Sequence, residues 1–329
     1  MNLICFDLEG PLVPQDNAYE LMKLFPSGGK IFEVISRYDD LLTLENRPDY
    51  EPGDTLALIT PFLAYHGIEE RQIAAMGQKA VLTPGATELI SNLKSRGWYI
   101  FCISTSYEQY AFPITQRLGI PGDNVACTSF PLTQIRQLLS QEEFVLLEQT
   151  EHEIVNLNPF TDDARIKEYL DYFYGQKLPQ TSSGRMIGQV KPVGGKRKVE
   201  ALENFSTRTG KPLSGWTVVG DSITDFKMLR VVNKAGGLAI AFNASEYALP
   251  YSTLGLASVS LYDLWVVLEA SEKGDRRAAE RVVKEREKAK GRKNREWFHW
   301  LDGTRDIMPA LKIHKRIRHL VREEAAKLG

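Results

Sequence analysis

A three-layer α/β/α fold around a mostly parallel sheet is what this sequence predicts, on three observations. Short continuous apolar runs at 3–6, 98–103, 216–219 and 237–242 have the length and composition of strands buried on both faces. Segments with helical spacing separate them, the alternation that builds parallel sheets through crossover helices. Three of the runs end in reactive residues rather than plain turns: Asp7 with Glu9, Ser104 with Thr105, and Asp221 with Asp225. Open α/β sheets hold their ligands beyond the carboxyl ends of such strands.

The first run passes directly into Asp7-Leu8-Glu9 and then the turn pair Gly10-Pro11. Side chains alternate along a strand, so Asp7 and Glu9 project to one side and Leu8 to the other. Helical spacing follows at 16–24, 31–42, 55–66 and 69–79, so residues 15–82 read as an all-helical insert, a cap, directly behind the first strand. Pro84-Gly85-Ala86 opens a helix that Gly97 closes. The run at 98–103 then ends in Ser104-Thr105-Ser106, a helix covers 110–118, and a short strand covers 125–128. Residues 129–190 read as a second insertion, with helical spacing at 135–147 and 163–174.

A basic helix start at 196–205 precedes the strand at 216–219, which runs into Gly220-Asp221-Ser222-Ile223-Thr224-Asp225 and a helix from Phe226. Residues 247–257 read as a loop or short helix. Residues 262–269, 276–290 and 313–327 read as helices, and the aromatic cluster Trp297, Phe298 and Trp300 as packing between tail and core. The expected organisation is therefore a core of 1–14 and 83–262, a cap of 15–82, and a basic helical extension of 263–329.

Composition bounds the function. At 43% hydrophobic residues over 329, the chain can bury a large core. No apolar run reaches membrane-spanning length, and the first strand begins by residue 3, ahead of any secretory signal. Cys5, Cys102 and Cys127 are scattered in strand-like runs without ligand spacing, which reads as reduced thiols in a cytoplasmic protein. The net charge of −1 conceals an asymmetry: 18 basic and 9 acidic residues at 273–329, against 23 basic and 33 acidic before them. A basic tail on an acidic body most simply folds back onto it; an acidic partner protein is the alternative. Glu280, Glu285, Glu287, Glu323 and Glu324 interrupt the basic run, which argues against nucleic acid.

Together these motifs resemble the haloacid dehalogenase superfamily, and most closely its phosphoserine-phosphatase-like branch. The family's first motif is an aspartate, any residue, then an aspartate at the end of strand one; here it is Asp7-Leu8-Glu9-Gly10. Its second is a Ser or Thr closing an apolar strand, here Ser104; its third a lysine opening a helix, here Lys198; its fourth an acidic pair, here Asp221 and Asp225. Lys191 and Lys196 compete for the third place, and spacing to Asp221 favours Lys198. Alone, each piece has a plainer reading: Ser104 and Asp221 as helix caps, Lys198 as a solvated charge. A finer similarity, through DLEGPLVPQDNAYE, SRYDD and GDTLALITPF, is to proteins called energy-converting hydrogenase subunit R-like.

The resemblance implies a Rossmann-like core and a Mg²⁺-dependent phosphatase or phosphotransferase acting on a small phosphorylated metabolite. Asp7 would attack phosphorus, and Asp7, Asp221 and the backbone carbonyl of Glu9 would hold Mg²⁺. Glu9 would exchange protons, and Lys198 would screen the phosphate from Asp7. Ser104 and Thr105 would bind phosphate oxygens, and Asp225 would orient metal waters or Lys198. Asp16 falls where the branch places a carboxylate for the substrate's amino group, and capping of the first insert helix explains it equally well. The branch's cap arginine for a substrate carboxylate has no counterpart by register, Arg47 being the nearest in sequence. The departure, Glu9 for aspartate, and the basic tail motivate the alternative of a non-catalytic accessory subunit that binds a protein partner. A metal-free dehalogenase does not fit the acidic pair at Asp221 and Asp225.

Overall fold

The computed structural model describes residues 2–45, 47–288, 296–304 and 306–328, without the side chains of 274 and 324–328. Seven strands form one sheet: β1 (Leu3–Phe6), β2 (Tyr99–Tyr107), β3 (Val125–Thr128), β4 (Trp216–Gly220), β5 (Leu238–Phe242), β6 (Leu254–Ser258) and β7 (Glu296–Trp300). Their order is β3-β2-β1-β4-β5-β6-β7. All pairings are parallel except β6 with β7, so β1 lies between β2 and β4 with Leu3 level with Tyr99 and Trp216.

Alternation explains why these runs are apolar throughout. Ile4 and Phe6 of β1 point into one layer with Val219, Ile240, Phe242 and the helix Ala86–Ser95. Leu3 and Cys5 point into the other, with Trp216, Val218 and the helices Lys196–Thr209 and Phe226–Ala235. A strand buried on both faces has no polar positions to spare until it leaves the sheet. Cys5 and Cys102 are buried free thiols, and Cys127 is a half-buried one. Among the described residues no helix is long and apolar enough to cross a membrane.

The first insert holds the helices Asn17–Met22, Gly28–Leu44, Thr55–Tyr65 and Glu70–Lys79. The second, at 129–190, is helical as well and packs on the first. Arg37 donates to both oxygens of Asp163 at 2.8 and 2.6 Å, and His66 meets Glu151 at 2.6 Å. The two inserts thus build one helical mass above the carboxyl ends of the strands. Its lower loop is tied to the core, with Glu51 2.7 Å from Lys227 and Asp54 2.5 Å from Arg197.

Three expectations need correction. Residues 254–258 form β6 rather than a loop or short helix, because Leu254 and Leu256 sit level with the aromatic residues of β7. The extension at 263–329 is not wholly helical: Trp297, Phe298 and Trp300 belong to β7, whose pairing closes the sheet edge. Ser104, Thr105 and Ser106 lie within β2 rather than after it.

Candidate active site

The carboxyl ends of β1 and β4 bring three carboxylates together. One oxygen each from Asp7, Asp221 and Asp225 lies within 4.8 Å of the others, and all three residues are buried. Glycine permits this crowding. Gly10 has φ +100°, and a Cβ there would stand 2.3 Å from Cγ of Asp221. At Gly220 a Cβ would meet Cγ of Asp225 at 2.6 Å.

Lys198, fully buried at the start of its helix, lies 2.7 Å from Oδ1 of Asp7 and 2.7 Å from Oδ1 of Asp225. Burial opposes its charge, but Asp225 and Asp7 outweigh burial and hold the ammonium above its ordinary range. Both oxygens of Asp225 are engaged, Oδ2 accepting from the backbone N–H of Asp221 at 2.9 Å and of Ser222 at 3.0 Å. Burial opposes ionisation of Asp225 too, yet Lys198 and these bonds bring its carboxyl below the usual range. Oδ1 of Asp7 accepts from Lys198 and from the Leu8 N–H at 2.8 Å, which leaves Oδ2 toward the cavity. Burial, with Asp225 next, pushes the Asp7 carboxyl well up.

Above these groups lies a cavity of about 240 Å³, lined by Asp7, Glu9, Asp16, Thr105 and Asp221, with Gly53 and Phe32 of the cap. Oε1 of Glu9 accepts from the Asn17 N–H at 2.8 Å. Burial, and next to it the charge of Asp16, push the Glu9 carboxyl up to about 7. Asp16 does two jobs: it caps the helix Asn17–Met22 through the Tyr19 N–H at 3.2 Å, and it lines the cavity.

The sequence placed the lysine and the carboxylates together, but one of its expectations meets a different geometry. Ser104 is wholly buried, its hydroxyl accepting from the Ser106 N–H at 3.0 Å, and it does not line the cavity. Thr105 lines it, with its hydroxyl donating to the Val193 carbonyl at 3.1 Å. The Glu9 side chain stands outside the carboxylate cluster, in keeping with a cation contact expected through its backbone carbonyl rather than its carboxyl.

The comparisons with known proteins agree with this geometry. No family model matches the chain. It is 21% identical over 269 residues to a phosphoserine phosphatase of Archaeoglobus fulgidus, covering 81% of this chain and 60% of that protein. It is 27% identical over 124 residues to the human phosphoserine phosphatase, covering 37% of this chain and 51% of that one. It thus spans between half and six-tenths of these curated relatives' lengths. A solved structure of another Archaeoglobus fulgidus gene product superposes with a TM-score of 0.83 at 29% identity, over 100% of this chain and 99% of that one. A phospho-aspartyl intermediate analogue of phosphoserine phosphatase shares the fold, with a TM-score of 0.51 at 18% identity over 80% of this chain and 97% of that one. In sequence the chain is similar to phosphoserine phosphatases, and in fold to a solved structure of one, the branch of the haloacid dehalogenase superfamily that its motifs resemble.

The resemblance to this superfamily implies a hard divalent cation, and the residues present fit one. The clustered donors are all carboxylate oxygens, the ligands such ions prefer. Burial and mutual repulsion hold Asp7 and Asp221 above their usual range, a strain that a cation between them relieves. Asp7 and Asp221 each keep one oxygen that neither Lys198 nor an arginine engages.

The site also carries groups that sequence reading missed. Arg318 and Arg322, on the C-terminal helix Met308–Leu328, line the same cavity from the side. Arg318 lies 2.9 Å from Oδ2 of Asp221 and donates to its carbonyl at 3.0 Å. The signal available was the basic excess of the tail, which has no register until the helix docks. Arg47, nearest in sequence to the branch's cap arginine, lies elsewhere and pairs with Asp171 at 2.5 Å.

Proposed function

We propose that the chain is a Mg²⁺-dependent phosphomonoesterase or phosphotransferase that acts on a small phosphorylated metabolite through an aspartyl phosphate on Asp7. One observation carries the reading: a wholly buried lysine bridges Asp7 and Asp225 while Asp221 faces them across the same cluster. A buried lysine held between two carboxylates is costly to assemble unless its charge serves an incoming anion.

In this reading Oδ2 of Asp7 attacks phosphorus and the bond to the substrate oxygen breaks. Lys198 holds Oδ1 in place and neutralises phosphate charge, and Asp225 holds Lys198. Glu9, with its carboxyl pushed up to about 7, gives its proton to the leaving oxygen and recovers one from the water or acceptor that cleaves the aspartyl phosphate. Asp7, Asp221 and the carbonyl of Glu9 would hold Mg²⁺, which when bound would supply charge neutralisation and orientation of the phosphoryl oxygens. The cap loop around Gly53 excludes water from the cavity. Thr105 and backbone N–H groups of the β2 end contact the phosphate, and Ser104 supports that turn from beneath.

The free thiols support a cytoplasmic setting. The extension spends β7 and the inner face of its last helix on the core, which leaves the accessory, partner-binding alternative without a structural argument. A screen of phosphate esters with Mg²⁺, run beside Asp7→Asn, tests the reading. Hydrolysis lost in Asp7→Asn supports it, and absence of turnover on every ester sinks it.

A further inference from the structure

The last helix aims two guanidiniums at one carboxylate and brings only one of them to hydrogen-bonding distance. Arg318 and Arg322 are one turn apart and share a helix face. Ile317 and Val321, both buried, pack under the helix and fix its rotation. Arg318 engages Asp221 through one nitrogen, Nη1, which lies 2.9 Å from Oδ2 and donates to the carbonyl at 3.0 Å. Arg322 stands 4.0 Å from the same Oδ2, beyond hydrogen-bonding distance, half-buried in the cavity wall. Burial, and after it the charge of Arg318, hold Arg322 below its ordinary range. Among the described residues Asp221 alone lies between the two guanidiniums, and at 4.0 Å it leaves the N–H groups of Arg322 free to take a second anion. Asp16 and Glu9 line the same cavity, and with Asp221 their charges partly offset the burial of Arg322.

We infer that Arg322, backed by Arg318, is a specificity-determining residue that binds a second anionic group on the phosphomonoester. The inference rests on the phosphatase reading above and deepens it. The Arg322 guanidinium offers paired N–H donors that match a carboxylate, and its place beside Asp16 separates a cationic from an anionic half of the cavity. A phosphoester with an acidic substituent then fits in one orientation, with its phosphate on Asp7 and its second anion on the C-terminal helix. A neutral ester of the same size has no such anchor.

The experiment uses the full chain with Mg²⁺ and two matched pairs of probes: 2-phosphoglycolate and O-phosphoserine, each against its carboxamide. Wild type is expected to prefer the acids by about ten- to a hundredfold in kcat/KM, the scale of a charged hydrogen bond. Arg322→Gln is expected to bring the acid-to-amide ratio near one, and Arg322→Lys to restore part of it. Calorimetric binding of the same probes to Asp7→Asn protein, with and without Arg322→Gln, gives the ratio in Kd without turnover. An unchanged ratio in Arg322→Gln, or no acid preference in wild type, overturns the inference. If no ester is turned over but acids still bind in an Arg322-dependent way, the subsite stands and the phosphatase reading falls. Turnover without acid preference gives the reverse.

Discussion

Lys198 and Arg322 bring positive charge to the same cavity and are held in opposite ways. Lys198 is fully buried, with two carboxylates at 2.7 Å. Arg322 is half-buried, with the Asp221 carboxylate at 4.0 Å and Asp16 and Glu9 acting on it from further off. The difference teaches which part of the cavity is preorganised and which is left to a ligand. Lys198 itself has two carboxylates at bonding distance, so the sheet ends form a rigid reacting centre. Around Arg322 the pairing is incomplete, and an exposed or half-exposed pair of that kind contributes little to stability.

Breaking the rigid half should have the largest effects. Asp7→Asn removes the attacking oxygen and leaves the cavity shape, so turnover in a phosphoester assay should fall by several orders of magnitude. A loss under tenfold would place the nucleophile elsewhere. Lys198→Met leaves Asp7 and Asp225 buried without their cation. Urea unfolding should show a loss of about 3–5 kcal/mol, whereas Arg322→Gln should cost under about 1 kcal/mol. Equal losses would erase the contrast between the two cations. Gly10→Ala forces a methyl group against the Asp221 carboxylate, 2.3 Å from its Cγ, in a backbone region that disfavours side chains. Mg²⁺ affinity, read by calorimetry, should drop at least about tenfold, and stability by about 1–3 kcal/mol.

The smallest effect sharpens the question of how the arginine helix is anchored. His314, one turn before Arg318, is buried, and its Nδ1 accepts from the Ala244 N–H at 2.9 Å. Burial, with the nearby His299 adding to it, lowers the imidazole to about 3. The unfolded chain, with histidine near about 6.5, therefore binds the extra proton between those values. Stability should be level above about pH 6.5 and fall on acidification by up to about 1.4 kcal/mol per pH unit. His314→Gln keeps a side-chain acceptor and removes the titration, so its melting temperature should depend less on pH between 6.5 and 5. Equal slopes in the two proteins would show that His314 does not set the acid limit.

Part of this architecture was legible without coordinates because it is local. Apolar runs too short for helices, with reactive residues at their ends, marked β1, β2, β4 and β5, and the Asp7, Lys198, Asp221 and Asp225 spacing marked the site. β6 and β7 were not legible, since each pairs with the other across some forty residues and neither carries a run that distinguishes strand from packing. Ser104 was read as facing the substrate because its position in the motif is right, but the turn of the chain there points its hydroxyl at the Ser106 N–H.

The sequence alone thus determined the layers of the fold and the residues at the tips of its first and fourth strands, because periodicity and burial are properties of neighbours in the chain. It also showed a basic tail on an acidic body, with folding back and an acidic partner both open. Only the tertiary structure decided that Arg318 and Arg322 would be the residues of that tail to reach Asp221. A helix carries charge on every side, and which side faces the cavity is set by where Ile317, Val321 and His314 find room against the sheet.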